Sequence, residues 1–224
     1  GVLAVFFFLP GGLMALLAIF RPEALGGGAG AALLVVVAVA AMAVVFATGM
    51  IYAQLKAVPA WHDPLTPAGY LALAAASGTT LLCAAKALAG LPPGFEVVAA
   101  LFAIAVAGLV KALAWSKLER PLTAATPATA TGLPGEVRAL DAPHTEANYL
   151  MKEMGFRVAR AHATKIRWAA IVLGFVAPPL LLWLGQAAGL APCAPLAFLS
   201  MIAGIACERW LFFAEAKHVV TLYY

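Results

Sequence analysis

The sequence predicts an all-α protein, a polytopic transmembrane helical bundle with six spans in this chain, and three observations carry that expectation. Hydrophobic side chains make up 64% of the 224 residues and charged ones only 11%, with a mean hydropathy of +0.97, so there is too little polar surface to cover a soluble globule. The apolar residues gather into six runs of about twenty, the length a helix rising about 1.5 Å per residue needs to cross roughly 30 Å of hydrocarbon. These runs are rich in Leu, Val and Ala and lack the period-two alternation of a membrane barrel.

Taken in order, the spans are expected at about 1–20, 31–53, 69–90, 95–116, 167–187 and 194–216, all within one transmembrane domain over 1–224. The first opens at Gly1 with GVLAVFFFLPGG, without an initiator Met and already inside an apolar run, which reads as part of a longer protein. No cleavable signal peptide is identifiable. The Gly-rich GGGAG at 26–30 lacks the Lys and Ser/Thr partners of a phosphate-gripping loop. Pro178 and Pro179 fall in the middle of the fifth span, where missing backbone donors should kink the helix. Cys83, Cys193 and Cys207 all lie in spans without C-x-x-C spacing and read as small buried residues, not as an iron-sulfur, zinc or disulfide set.

Positive charge sets the topology, because loops rich in Lys and Arg stay cytoplasmic. Twelve of the 14 basic side chains fall on one side of the six spans, leaving Arg21 and Lys86 on the other. Both chain ends, the 54–68 connection and the long loop at 117–166 should therefore face the cytoplasm. That loop divides by composition: ERPLTAATPATATGLPGEV at 119–137 reads as an extended strap. The residues after Thr145 carry an apolar stripe of Leu150, Met151, Met154 and Val158, with Lys152, Arg157 and Arg160 mostly off it. A basic amphipathic helix at about 146–166 is expected along the membrane surface. Such a helix serves either as a contact for anionic lipid or as a docking surface for a cytoplasmic partner.

The four histidines, His62, His144, His162 and His218, lie in loops or at helix ends, so no pair is placed to hold a haem inside the membrane, and C-x-x-C-H is absent. Lys86 and Lys111 sit near opposite ends of the third and fourth helices, close enough to the interface to snorkel. The richest stretch is IACERWLFFAEAKHVV at 205–220. At 100° per residue Met201, Ile205, Glu208, Phe212 and Glu215 share one face of the last helix, and Arg209, Phe213 and Lys217 the neighbouring one. Isolated charge there costs on the order of 3 kcal/mol per residue, so these groups need partners. Lys56, Trp61, His62, Arg167 and Trp168 are predicted at the same membrane boundary. Aromatic rings, exchangeable protons and an apolar pocket suit a quinone headgroup; an interfacial aromatic belt with structural ion pairs is the other reading of the same residues.

MIYAQLKAVPAWHDPLTPAGY at 50–70, ERWLFFAEAKHVVTLYY at 208–224 and the loop string NYLMKEMGFRVARAHATKIRW resemble the membrane anchor subunit of the dimethyl sulfoxide reductase family. Within that family they look most similar to the anchor of cytoplasmic sulfite dehydrogenases. The resemblance implies a haem-free, quinone-reactive anchor of eight helices in a bacterial cytoplasmic membrane, using ubiquinone or menaquinone. It also implies an iron-sulfur electron-transfer partner, itself bound to a molybdopterin catalytic subunit. Two further helices and a His-Leu-Gly loop followed by an acidic residue would precede Gly1. Those upstream residues are the family's quinone-site candidates, so no certain catalytic residue carries over.

On this reading His62 with Glu208 or Glu215 exchanges protons, and Trp61, Trp168 and Trp210 wall the pocket. Arg209 and Arg167 balance charge or contact the partner, and Lys56, Lys152, Arg157, Arg160, Lys165 and Arg167 dock it. No metal ligands and no nucleic-acid contact are expected in this chain. A passive anchor without quinone chemistry, or a secondary transporter with interrupted helices, are the competing functions.

Overall fold

The computed structural model describes residues 2–118, 128, 131–137 and 157–216, without the side chains of Arg157 and Val158. The helices in chain order are α1 (Val2–Phe20), α2 (Gly28–Ala53), α3 (Leu65–Leu88), α4 (Phe95–Leu118), the short α5 (Arg157–Ala161), α6 (Ala163–Ala188) and α7 (Cys193–Ala214). All but α5 are long and apolar enough to cross a membrane, and no strand occurs among the described residues. The all-α, six-span expectation therefore holds. The expected amphipathic helix at 146–166 lies outside the described residues up to 156; from 157 onward the chain is helical almost without a break into α6.

Two boundaries differ from the sequence expectation for local reasons. Helix α3 begins at Leu65 rather than 69, because Asp63 Oδ1 accepts the Leu65 N–H at 2.8 Å and the Asp63 carbonyl accepts the Thr66 N–H at 2.9 Å, satisfying donors that a helix start leaves open. Helix α6 begins at Ala163 rather than 167, taking Lys165 and Arg167 into its first turns, where a membrane boundary tolerates cations. At the opposite face α3 and α6 stop at left-handed glycines, Gly90 (φ +68°) and Gly189 (φ +64°). There the Leu91 N–H bonds Lys86 O at 2.9 Å and the Leu190 N–H bonds Gly185 O at 3.1 Å, closing each helix with the glycine turn that only a residue without Cβ adopts cheaply.

Helices α3, α4, α6 and α7 form the core. Leu73, Ala76 and Cys83 of α3 meet Val97, Ala100, Ile104 and Ala107 of α4, with Leu182 of α6 and Ala197 and Met201 of α7 closing the cluster. Its centre is mostly alanine. Lipid tails remove the hydrophobic drive between helices, so small residues that let backbones approach supply the packing. The closest approach is α6 on α7: a Cβ on Gly204 would collide with the Gly174 backbone. Gly174 lies in a π-helical turn, Val172–Val176, just ahead of Pro178 and Pro179. The prolines expected to kink the fifth span thus follow a π turn, and Ser200 Oγ donates to its Leu173 carbonyl at 2.8 Å. Helix α1 packs on α2 and buries none of its residues.

Candidate functional site

At the end of the bundle where the basic side chains gather, α3, α4 and α7 meet the 54–64 connection around a cavity of about 360 Å³. Trp61 and Thr66 line one side, Lys111 and Trp115 of α4 another, and Arg209, Phe212 and Glu215 of α7 the third. Trp61 is fixed from both ends of the residue: its indole N–H donates to Phe212 O at 2.8 Å, and its carbonyl accepts from Thr66 Oγ1 at 2.8 Å. Its ring stacks on Phe212 with centroids 5.5 Å apart, and Tyr52, Tyr70 and Phe213 complete a continuous aromatic cluster. Of these rings Trp61 and Phe212 line the cavity and the others pack against them, which holds that wall in place.

Beneath that wall lies a buried ion triad. Glu208 is 1% exposed and Lys111 6%; their side chains form a direct ion pair. Arg209 grips the same carboxylate with both arms, Nε to Oε2 at 2.5 Å and Nη2 to Oε1 at 2.8 Å. The Arg209 guanidinium also sits over the Tyr70 and Phe212 rings at 4.5 and 4.6 Å. Lys111 stands seven residues before the end of α4, about 10 Å below the helix terminus. Charge at that depth persists only when paired, and here two cations share one carboxylate.

Two further pairs sit nearer water. Arg167 Nη2 donates to Glu215 Oε1 at 2.5 Å, and Lys117 Nζ donates to Asp63 Oδ2 at 2.7 Å. Partial burial pushes the Asp63 carboxyl up, but the Lys117 hydrogen bond, the Leu65 N–H and the charges of Lys117 and His62 together hold it below the usual carboxylate range. Counting these seven groups, four cations face three carboxylates. Two buried polar atoms at the cavity border have no hydrogen-bond partner among the described residues: Arg209 Nη1, a donor, and Glu215 Oε2, an acceptor. Buried polar atoms without partners mark a site whose hydrogen bonding is incomplete.

Of the residues singled out from sequence, the structure brings Trp61, Glu208, Arg209 and Glu215 together, and Arg167 joins them through Glu215. His62 stands beside the site: it is exposed, with Nδ1 2.6 Å from Ala53 O. Trp168 and Trp210 do not line the cavity; they are 62% and 50% exposed and belong to the outer apolar girdle, because each follows an inward arginine and is rotated about 100° away from it. Lys56 and Lys165 are exposed, whereas Arg160 turns inward and donates to Ala214 O at 2.7 Å. Lys152 and the Arg157 side chain lie outside the described residues.

One expectation needs correction: Lys111 does not snorkel but is buried against Glu208, because α4 and α7 close over it. Tyr52, Tyr70 and Trp115 join the site without a prediction from the sequence. The signal available for Trp115 was Lys111 four residues before it, a helical i, i+4 pair realised at 5.4 Å from the ring centroid. Among the described residues no group of three or more His, Cys, Asp or Glu is placed to hold a metal.

Six membrane-length helices with three ion pairs and a packed cluster of rings at one end define a multi-pass helical membrane protein carrying a polar, ring-bordered site at that end. The family model described as "DMSO reductase anchor subunit (DmsC)" matches residues 2–214, and the chain belongs to that family. It is similar to a sulfite dehydrogenase subunit of Allochromatium vinosum, 32% identical over 188 residues that cover 83% of this chain and 58% of the relative. The chain thus spans less than two thirds of that relative's length. No solved structure matches it.

Proposed function

We propose that this anchor subunit exchanges electrons with membrane quinone, and that the cavity between Trp61, Trp115 and Arg209 receives the quinone headgroup. The observation that carries the proposal is the buried Lys111–Glu208–Arg209 triad bordering a 360 Å³ cavity with aromatic walls. The cavity has the volume of a small-ligand pocket and sets the polar groups Lys111, Arg209 and Glu215 beside the rings of Trp61, Trp115 and Phe212, and intramembrane ionisable clusters of this kind serve ligands or protons.

The unpartnered Arg209 Nη1 and Glu215 Oε2 match what the headgroup needs, a donor for a carbonyl oxygen and an acceptor for a hydroxyl. The excess cation among the surrounding groups favours an electron-rich oxygen. Glu215 holds or releases the proton at Oε2. The Asp63–Lys117 pair, partly exposed at the cavity rim, leads towards water. Quinone supplies the two-electron chemistry; this chain binds it, keeps it dry and manages its protons.

In this reading the chain holds an iron-sulfur subunit bound to a molybdopterin catalytic subunit, in the cytoplasmic membrane of a bacterium with the basic side inward. Lys56 and Lys165, exposed on that side, are available to the partner. The relative's name favours sulfite oxidation, with electrons passing to quinone. Membership of an anchor family sets the transporter reading aside.

The test is the full-length protein purified from native membranes with its co-purifying subunits, assayed for molybdenum and iron. Turnover is then followed with quinone and, separately, with a soluble dye that bypasses the membrane subunit. Arg209→Gln and Glu215→Gln should slow the quinone-linked reaction and leave the dye reaction intact. Equal quinone turnover in wild type and both variants would make this chain a passive anchor.

A further inference from the structure

The last turn of α7 is held by side chains from two other segments. A helix end leaves its final carbonyls without backbone donors, and in α7 these groups are buried: Ala214 is 0% exposed. Trp61 of the 54–64 connection supplies a donor to Phe212 O. Arg160, from α5 on the cytoplasmic side, supplies two more, Nε to Ala214 O at 2.7 Å and Nη2 to Ala216 O at 3.3 Å. Between those carbonyls stands Glu215, whose carboxylate borders the cavity and meets Arg167. A guanidinium at a helix C-terminus also complements the negative end of the helix dipole, and its planar fork fixes direction in a way an ammonium does not.

We propose that Arg160 is a positioning residue: by gripping the carbonyls on either side of Glu215 it sets that carboxylate in the cavity wall and ties the cytoplasmic surface segment to the site. The proposal rests on the quinone reading of the cavity. Its consequence is that a segment placed to meet a cytoplasmic partner shares a rigid connection with the group that handles the quinone proton. Arg160 touches no quinone; it acts through the backbone of residues 214–216.

The experiment uses the intact complex with Arg160→Gln, Arg160→Lys, Glu215→Gln and the Arg160→Gln/Glu215→Gln double variant, each checked for co-purifying subunits and dye turnover. Arg160→Gln should raise KM for a short-chain quinone about tenfold, in keeping with the cost of displacing a positioned group, with kcat on dye unchanged. Arg160→Lys should recover part of the loss, and the double variant should be no worse than Glu215→Gln alone, since both changes act on one carboxylate. An unchanged KM in Arg160→Gln beside a raised one in Glu215→Gln overturns the positioning role and leaves the cavity reading standing, as does a double variant whose effects add. An unchanged KM in Glu215→Gln removes both. Loss of assembly in Arg160→Gln and Arg160→Lys alike assigns the residue to partner docking or folding instead.

Discussion

The two ends of the bundle carry cavities of nearly equal volume, about 360 Å³ on the basic side and about 350 Å³ on the other, yet they are chemically unlike. The second lies between the Pro92–Pro93 turn, Cys83, Leu182 and the Gly185–Gly189 end of α6, and the ion pair beside it joins Lys86 to Glu96 at 2.7 Å. That pair is local to the α3–α4 turn, which Glu96 also caps by accepting the Gly94 N–H at 2.8 Å. On the basic side the ion pairs run between α4 and α7, between α6 and the end of α7, and between the 54–64 connection and α4, beside a cluster of five packed rings that Arg209 covers at Tyr70 and Phe212. Volume therefore does not single out a site here. What distinguishes the two ends is how many separate helices commit buried charge to one place.

The basic end depends most on Glu208. Glu208→Ala leaves Lys111 and Arg209 buried without their carboxylate, a loss of about 3–5 kcal/mol, and should appear as a sharply lowered melting temperature and poor accumulation in membranes. Lys111→Met combined with Glu208→Gln should recover part of it, since the amide still accepts from Arg209. Glu96→Gln at the other end should change melting far less, because its pair bridges one turn only.

Next in size is the crossing that brings α7 to the site. Gly204→Leu pushes a side chain into the Gly174 backbone, and overpacking of this kind costs about 1–3 kcal/mol; thermal unfolding in detergent measures it. Arg209→Lys follows: it keeps the charge but loses the two-armed grip on Glu208 and the ring stacking. KM for quinone should rise about tenfold, equivalent to roughly 1.4 kcal/mol, with dye turnover unchanged.

The smallest effect is at the rim. The Asp63 carboxyl is held below its ordinary range in the folded state, so its stabilisation is present at pH values above the unfolded carboxylate pKa of about 3.9 and fades as pH falls through the folded value. Asp63→Asn should therefore lower stability at neutral pH by at most about 1 kcal/mol for so exposed a pair. The difference from wild type should vanish in acid. A difference that instead grew on acidification would contradict the assigned pairing.

How much of this was legible in the sequence follows from the range of each interaction. Span number depends on local composition, and Glu208, Arg209 and Glu215 declare themselves as charges in one apolar stretch. Trp61 was legible because it borders a span end. The pairing of Lys111 with Glu208 was not, since it joins residues 97 positions apart and depends on which faces of α4 and α7 meet. The same holds for Tyr52 and Tyr70, which look like ordinary interfacial tyrosines until α2, α3 and α7 converge on them. Trp168 and Trp210 show the converse: adjacency in sequence to Arg167 and Arg209 places them on the next helical face, outside the cavity.

The central claim, that quinone is handled at the basic end, is tested most directly by photolabelling the purified complex with an azidoquinone and mapping the adducts by mass spectrometry. The account predicts labels within residues 59–69, 111–118 and 209–216, competed away by unlabelled quinone. Labels confined to residues 83–97 and 182–194 at the opposite end, or no competed label on this chain, would contradict it.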